Sequence, residues 1–238
     1  MAAKAFITGI TGQDGSYLAE LLLQKGYEVH GLVRQAGALE HSRIDHLVKD
    51  PGLLGHRLFL HSADLDDSAT LRRVLREVAP NEVYHLAGQS HVGLSFEMPE
   101  ATCQITAMAT VRLLDIVREL HPMPRFYFAS SSEVFGHPSQ YPQDETTPFA
   151  PVTPYGCAKA FATWMVGVYR RSFDLFGCCG IAYNHESPRR GESFVTRKIC
   201  RAAAAIKLGL QQELRLGENH HDGAAASTAG WTLCTGSY

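Results

Sequence analysis

The sequence predicts an α/β protein built on a doubly wound parallel sheet, and three observations support this. Short apolar runs typical of buried strands alternate along the chain with longer stretches of helical periodicity. A glycine-rich turn directly follows the first apolar run. The 238 residues, of which 45% are hydrophobic and 19% charged, suffice for one buried core.

The first third of the chain contains four predicted strands separated by helices. A helix begins near Gly12 and ends at Gly26. Asp66 or Asp67 caps a second helix, which Pro80 closes. The predicted strands are Lys4–Thr8, Tyr27–Val33, Arg57–Ser62 and Glu82–Leu86.

The rest of the chain continues the alternation as far as residue 217. Thr153 followed by Pro154 is a good helix opening, because the hydroxyl can cap and proline suits the first helical position. From residue 218 onward, twelve of twenty-one residues are Ala, Gly, Ser or Thr without periodicity, which predicts a disordered tail. The remaining predictions are a loop at Ala87–Gly93, helices at Glu100–Leu120, Thr153–Phe173 and Phe194–Leu208, and strands at Arg125–Ser130 and Gly180–Tyr183.

Composition excludes several classes of function. A formal net charge of -2 gives no overall basic field, so we expect no nucleic-acid partner. We expect no secretion signal and no membrane span. The six cysteines form no C-x-x-C pair, which predicts reduced thiols in the cytoplasm and no metal site.

The turn Thr8–Gly15 is suited to the diphosphate of a dinucleotide. Its spacing is G-x-x-G-x-x-G, with Gln13 and Asp14 before the last glycine. Glycines let a backbone approach phosphate oxygens closely, and the N-terminus of the following helix attracts negative charge. Gly9, Gly12 and Gly15 alone would be a weak signal, but a strand before them and a helix after them favour a Rossmann-like cofactor site.

The end of the second strand predicts the type of cofactor. An acid there would bind the ribose hydroxyl of NAD, whereas an Arg accommodates the 2′-phosphate of NADP. Arg34 follows the strand with no acid beside it, so we expect NADP; a solvated surface Arg is the alternative. Asp64 and Leu65, after the third strand, are placed to meet the adenine, although Asp also caps and turns chains.

Four residues have the chemistry of an oxidoreductase site. Tyr155 and Lys159 are four positions apart on one helix and so share a face, where the ammonium can stabilise the phenolate. Ser131, at the end of the fifth strand, can hydrogen-bond the substrate oxygen. Glu133 is the distinctive residue: an elimination needs a base for a C–H and an acid for the leaving hydroxide, and one Glu can serve as both. A turn or helix charge is the alternative.

These motifs resemble the extended short-chain dehydrogenase/reductase family. The stretch Asn184–Lys198 more specifically resembles the GDP-mannose 4,6-dehydratase family, and the resemblance runs from Lys4 to about Gly217. It implies oxidation of GDP-mannose at C4 by NADP, loss of water across C5–C6 with Glu133 as base and acid, and hydride return to C6. The resemblance implies cofactor contacts at Leu86, Ala87, Gln89, Ser90, His185 and Arg190, and substrate contacts at Ser90, Asn184, Val195 and Lys198.

The resemblance also implies an organisation and a set of partners. Residues 1–183 are expected to form the NADP-binding domain with the catalytic residues, and residues 184–217 an incomplete substrate-binding lobe, because the family continues well beyond Gly217. Family members are expected to form homo-oligomers. Two alternatives remain open: a non-catalytic NADP-binding remnant, and a sugar-nucleotide epimerase or reductase.

Overall fold

The computed structural model describes residues 2–34 and 43–214, so the predicted tail at 218–238 lies outside the described residues. The predicted fold class is confirmed. Six parallel strands form one sheet in the order β3-β2-β1-β4-β5-β6, the arrangement of dinucleotide-binding folds. The strands are β1 Lys4–Thr8, β2 Glu28–Val33, β3 Leu58–Ser62, β4 Glu82–His85, β5 Arg125–Ser131 and β6 Gly177–Ala182.

Eight α-helices accompany these strands in the described part of the chain. A π-helical turn at Gln104–Met108 joins two of them into one rod, and a 3₁₀ turn at Ser132–Val134 follows β5. The helices are α1 Gln13–Gln24, α2 Asp45–Val48, α3 Ser68–Val78, α4 Val92–Glu97, α5 Pro99–Cys103, α6 Ala109–Arg118, α7 Pro154–Phe173 and α8 Val195–Lys207.

The two faces of the sheet bury separate apolar cores. Alternate β1 residues divide between them, because successive strand side chains point to opposite faces. Phe6 packs with side chains of α3, α6 and α7, whereas Ala5 and Ile7 pack with side chains of α1 and α2. The sheet is thus covered on both faces, as a parallel sheet requires.

Three predicted elements differ from the structure. The Ala87–Gly93 loop is shorter than predicted, since α4 begins at Val92 with the His91 side chain accepting from the Leu94 N–H at 3.1 Å. The predicted helix Glu100–Leu120 is interrupted by the π-helical turn. Strand β6 begins three residues early, because pairing with β5 recruits Gly177 against Phe126.

Contacts divide the chain into two compact units between Tyr183 and Asn184. The first unit contains the whole sheet, and the second contains α8. None of the described helices is long and apolar enough to cross a membrane.

Candidate active site

The glycine turn joins β1 tightly to α1. Gly9 has a positive φ of 76°. The Gly12 N–H donates a hydrogen bond to the Gly9 carbonyl at 2.9 Å. Gly12 occupies the N-cap position of α1, and because it has no side chain it makes no capping hydrogen bond to the first turn. A Cβ on Gly15 would lie 2.2 Å from the Gly9 oxygen, so the helix approaches the turn more closely than any other residue allows. Gln13 and Asp14 form the first turn of α1.

A buried pair of side chains fixes the ends of β1 and β4 beside this turn. The Thr8 hydroxyl lies 2.7 Å from Nδ1 of His85 and accepts from the Ala87 N–H at 3.2 Å. Burial lowers the pKa of His85 to about 3, so the imidazole is neutral. These contacts lie at the point where the strand order reverses, which is where such sheets bind their ligands. The narrow glycine turn and the helix N-terminus beside it fit a dinucleotide diphosphate.

Tyr155 and Lys159 share one face of α7, as their spacing predicts, and that face is buried. Tyr155 is 7% exposed and Lys159 4%. The Lys159 ammonium donates to the Ala129 carbonyl of β5 at 2.6 Å and lies 5.7 Å from the centre of the Tyr155 ring. It also lies 4.7 Å from the centre of the Phe128 ring, so a carbonyl and two ring faces surround the charge. Burial lowers the pKa of Lys159 to about 8, which leaves it charged at neutral pH.

Ser131 and Glu133 follow at the carboxyl end of β5, in the 3₁₀ turn region. The Ser131 hydroxyl accepts from the Glu133 N–H at 3.3 Å and so caps this turn. The Glu133 carboxylate is half-buried and accepts from the Thr153 hydroxyl at 3.4 Å. Burial raises the pKa of Glu133, and the hydrogen bond from Thr153 opposes that shift. The structure therefore brings Glu133 against the start of the helix that carries Tyr155.

The predicted adenosine side of the site lies at the ends of β2 and β3. Arg34 is exposed directly after β2, and its carbonyl accepts from the Ser62 hydroxyl at 3.4 Å. Asp64 is exposed, and its carboxylate accepts from the Leu65 N–H at 2.6 Å, the turn role named as the alternative. Leu65 is buried, and its carbonyl accepts from Arg112 at 2.6 Å.

The predicted cofactor residues after β4 lie on the β4 side of the point where the strand order reverses. Leu86 packs on the α1 face of the sheet and Ala87 on the other face. Gln89 donates to the His91 carbonyl at 3.0 Å and to Thr102 at 3.4 Å, which ties this loop to the helix rod. Ser90 is exposed. All four thus belong to the same unit as the predicted catalytic residues Ser131, Glu133, Tyr155 and Lys159.

The other five predicted site residues belong to the second unit. Arg190 lies 3.8 Å above the centre of the Phe194 ring and pairs with Glu186 at 3.5 Å. Val195 begins α8, and Lys198 lies one turn further along it. Asn184 and His185 open the unit.

Three features of the site have no counterpart in the sequence predictions. Thr153 is predicted only as a helix cap, yet it also contacts Glu133. Arg43 donates to the Thr11 carbonyl of the glycine turn at 3.2 Å. The Thr8–His85 pair joins residues 77 positions apart. All three depend on tertiary contacts that carry no local signal.

Comparison with known proteins assigns the chain to a family. A family model described as GDP-mannose 4,6 dehydratase matches residues 6–225. The chain belongs to the GDP-mannose 4,6-dehydratase family. A GDP-mannose 4,6-dehydratase of Yersinia enterocolitica is 54% identical over 216 residues, which cover 90% of this chain and 58% of that protein. The human GDP-mannose 4,6 dehydratase is 50% identical over 216 residues, with the same shares covered.

Solved structures share the fold. The UDP-glucose 4-epimerase of Thermus thermophilus, solved with NAD, is 25% identical with a TM-score of 0.72, covering 87% of this chain and 63% of that one. The dTDP-glucose 4,6-dehydratase of Streptomyces venezuelae, solved with NAD, is 24% identical with a TM-score of 0.74, covering 87% and 62%. This chain of the GDP-mannose 4,6-dehydratase family spans a little under three fifths of the curated relatives' length. Among the described residues, no three His, Cys, Asp or Glu side chains converge as metal ligands.

Proposed function

We propose that the protein is a GDP-mannose 4,6-dehydratase that converts GDP-mannose to GDP-4-keto-6-deoxymannose. The observation that carries this proposal is the half-buried Glu133 held against the first turn of α7, which carries Tyr155 and Lys159. Its raised pKa suits a group that must both accept and return a proton. The relatives named for this activity and the matching family model support it.

The four predicted catalytic residues divide the proton transfers of this reaction among them. Tyr155 takes the proton of the C4 hydroxyl, and the neighbouring Lys159 ammonium stabilises the phenolate. Ser131 hydrogen-bonds the same substrate oxygen. Glu133 removes the C5 proton and returns a proton to the hydroxyl that leaves C6 as water. When bound, a nicotinamide dinucleotide accepts the hydride from C4 and returns it to C6.

We propose NADP rather than NAD as the cofactor. Arg34 stands exposed at the end of β2, where a guanidinium can pair with a 2′-phosphate. No carboxylate is adjacent in sequence to claim the ribose hydroxyl at that point. The turn at Gly9–Gly15 would hold the diphosphate, and Asp64 with Leu65 would border the adenine.

We propose that the ligands also contact the second unit. The residues proposed to contact the sugar nucleotide are Asn184, Val195 and Lys198. The residues proposed to contact the cofactor are His185 and Arg190.

We also propose that the protein self-associates. An exposed apolar stripe on α7 at helical spacing supports this proposal. It is formed by Phe161, Trp164 and Val168, which are 40%, 58% and 38% exposed. Ile105 and Met108 of the adjoining helix rod are also exposed, as is Met98 directly before it. A cytoplasmic location and the lack of a nucleic-acid partner stay predictions from the sequence.

A turnover assay in deuterium oxide tests the reaction. The purified protein is incubated with GDP-mannose and either NADP or NAD, and the product is examined by NMR. We expect a 4-keto-6-deoxy sugar nucleotide carrying deuterium at C5, formed faster with NADP. Glu133→Gln should abolish it, because an amide cannot accept the C5 proton. Glu145→Gln, a change at an exposed Glu, is the matched control and should leave turnover intact.

A second candidate function is binding of NADP without turnover. The glycine turn and the whole sheet lie together in the first unit, which favours a dinucleotide site in that unit by itself. Thermal stabilisation by NADP, about 2.7 kcal/mol at a hundredfold excess over Kd, together with no product would favour it. An epimerase or reductase is less favoured, since neither requires the carboxylate of Glu133.

A further inference from the structure

The Thr153 hydroxyl lies between the start of α7 and the carboxylate of Glu133. Its oxygen accepts from the Gly156 N–H at 2.9 Å, which caps the helix. The same hydroxyl donates to Glu133 Oε2 at 3.4 Å. Thr153 is 9% exposed, so water competes little for either contact.

The backbone around these contacts is closely packed. A Cβ on Gly156 would lie 2.6 Å from the Glu133 carbonyl oxygen, so the first turn of α7 rests directly on the 3₁₀ turn. At the other side of that turn, the Glu133 N–H donates to Ser131. Glu133 is thus held at its backbone by two neighbours and at its carboxylate by Thr153.

The chemistry of a hydroxyl fixes the direction of the Thr153 contact. The oxygen already accepts from Gly156, and its single proton is then available for one acceptor. An ionised carboxylate accepts this hydrogen bond more strongly than a protonated carboxyl group does, so the donation from Thr153 favours the charged state of Glu133. The N-terminus of the twenty-residue helix α7 adds a positive dipole end on the same side.

We propose that Thr153 is a positioning residue that keeps Glu133 ionised and aimed for removal of the C5 proton. One hydroxyl thereby couples the orientation of the base to that of Tyr155, which lies two residues further along the capped turn. This inference rests on the proposed function for its catalytic consequence. Burial raises the pKa of Glu133, and the donation from Thr153 opposes that rise.

Two substitutions separate this role from helix capping. Thr153→Ser keeps both the cap and the donated proton. Thr153→Gly removes the hydroxyl, yet glycine is among the residues favoured at N-caps, so the helix should persist. The pKa of Glu133 is followed by NMR on protein labelled at the glutamate carboxyl carbon, with Glu133→Gln assigning the signal. Melting scans report the fold.

We expect the pKa of Glu133 to rise in Thr153→Gly and to return to the parental value in Thr153→Ser. In turnover, the acidic limb of the kcat profile should move to higher pH in Thr153→Gly, with about a tenfold loss of kcat and little change in KM. A melting temperature that falls without any change in the Glu133 pKa would make Thr153 a cap only and overturn the proposal. If the pKa responds as expected while even the parent makes no product, the positioning role stands and the proposed function fails.

Discussion

Lys159 is a buried cation among the four predicted catalytic residues. Its ammonium is removed from water and compensated by one carbonyl and two aromatic faces rather than by a carboxylate. Desolvation is therefore only partly offset, and burial lowers its pKa to about 8. A buried cation with a perturbed pKa marks a candidate functional residue, and the role proposed for Lys159 is stabilisation of the Tyr155 phenolate.

Replacing this lysine should change how stability depends on pH. Between about pH 8 and 10.5 the folded parent loses the Lys159 proton while the unfolded chain keeps it, so the unfolded state binds more protons and folding stability rises with pH. Lys159→Met lacks this gain. We expect the parent to become more stable relative to the variant across that range, by at most about 3 kcal/mol. Urea unfolding at several pH values measures the difference.

The control is Lys25→Met, a change at an exposed lysine after α1. This variant reports how removal of an exposed lysine changes stability over the same pH range. If the stability difference between the parent and Lys159→Met changes no more with pH than that of the control, the lowered pKa of Lys159 is wrong. Loss of turnover in Lys159→Met is expected in addition, since the phenolate loses its cationic neighbour.

At the scale of elements, the contact between β1 and α1 decides whether the glycine turn can form. Gly15 is helical, yet a Cβ there would lie within 2.2 Å of the Gly9 oxygen and 2.7 Å of the Ile10 Cα. Backbone atoms cannot give way as a flexible side chain can. The tight turn therefore depends on the missing Cβ and not only on glycine's conformational freedom.

Gly15→Ala should accordingly displace α1 from the turn and weaken dinucleotide binding by at least tenfold, with a loss of about 1–3 kcal/mol in stability. Gly167→Ala is the matched control, because Gly167 is also helical but its nearest neighbour would be 3.5 Å from the added Cβ. There the alanine should stabilise by about 0.5–1 kcal/mol. Calorimetric titration with NADP and melting scans measure both. Unchanged NADP affinity in Gly15→Ala would contradict a diphosphate site at this turn.

The sequence predicts elements well where the signal is local. The bounds of β1 and the Thr153–Pro154 start of α7 are confirmed, because an apolar run and a capping pair determine them. The first three residues of β6 were missed, since Gly177, Cys178 and Cys179 become a strand only by pairing with β5. The sequence does not predict the π-helical turn at Gln104–Met108 either. Such a turn contains one more residue than an α-helical turn, and the spacing of apolar residues is too coarse to reveal it.

The same limit applies to the candidate site. The shared face of Tyr155 and Lys159 follows from a spacing of four residues. The contact from Thr153 to Glu133 joins residues 20 positions apart and exists only because α7 docks on the 3₁₀ turn. A contact that forms only when two elements pack together therefore cannot be predicted from the spacing of residues in the sequence.

At the scale of the whole molecule, the first unit exposes large apolar side chains on α7. Trp164 is 58% exposed and stacks on Phe149 at 5.7 Å between ring centres. With Phe161 and Val168 it forms a stripe along one helix face. A two-fold axis beside this face would bring identical stripes together, which is the commonest way in which soluble proteins associate.

We expect the protein to elute as a dimer in size-exclusion chromatography with light scattering, and Trp164→Glu to elute as a monomer. A charge in the centre of an apolar interface is desolvated without a partner, which costs more than such a contact supplies. Leu54→Glu is the matched control: Leu54 is an exposed apolar residue of similar exposure to Phe161, but it precedes β3 at the opposite end of the sheet. That variant should remain dimeric. A monomeric parent would exclude self-association. A dimeric Trp164→Glu variant would show that the protein associates through another surface.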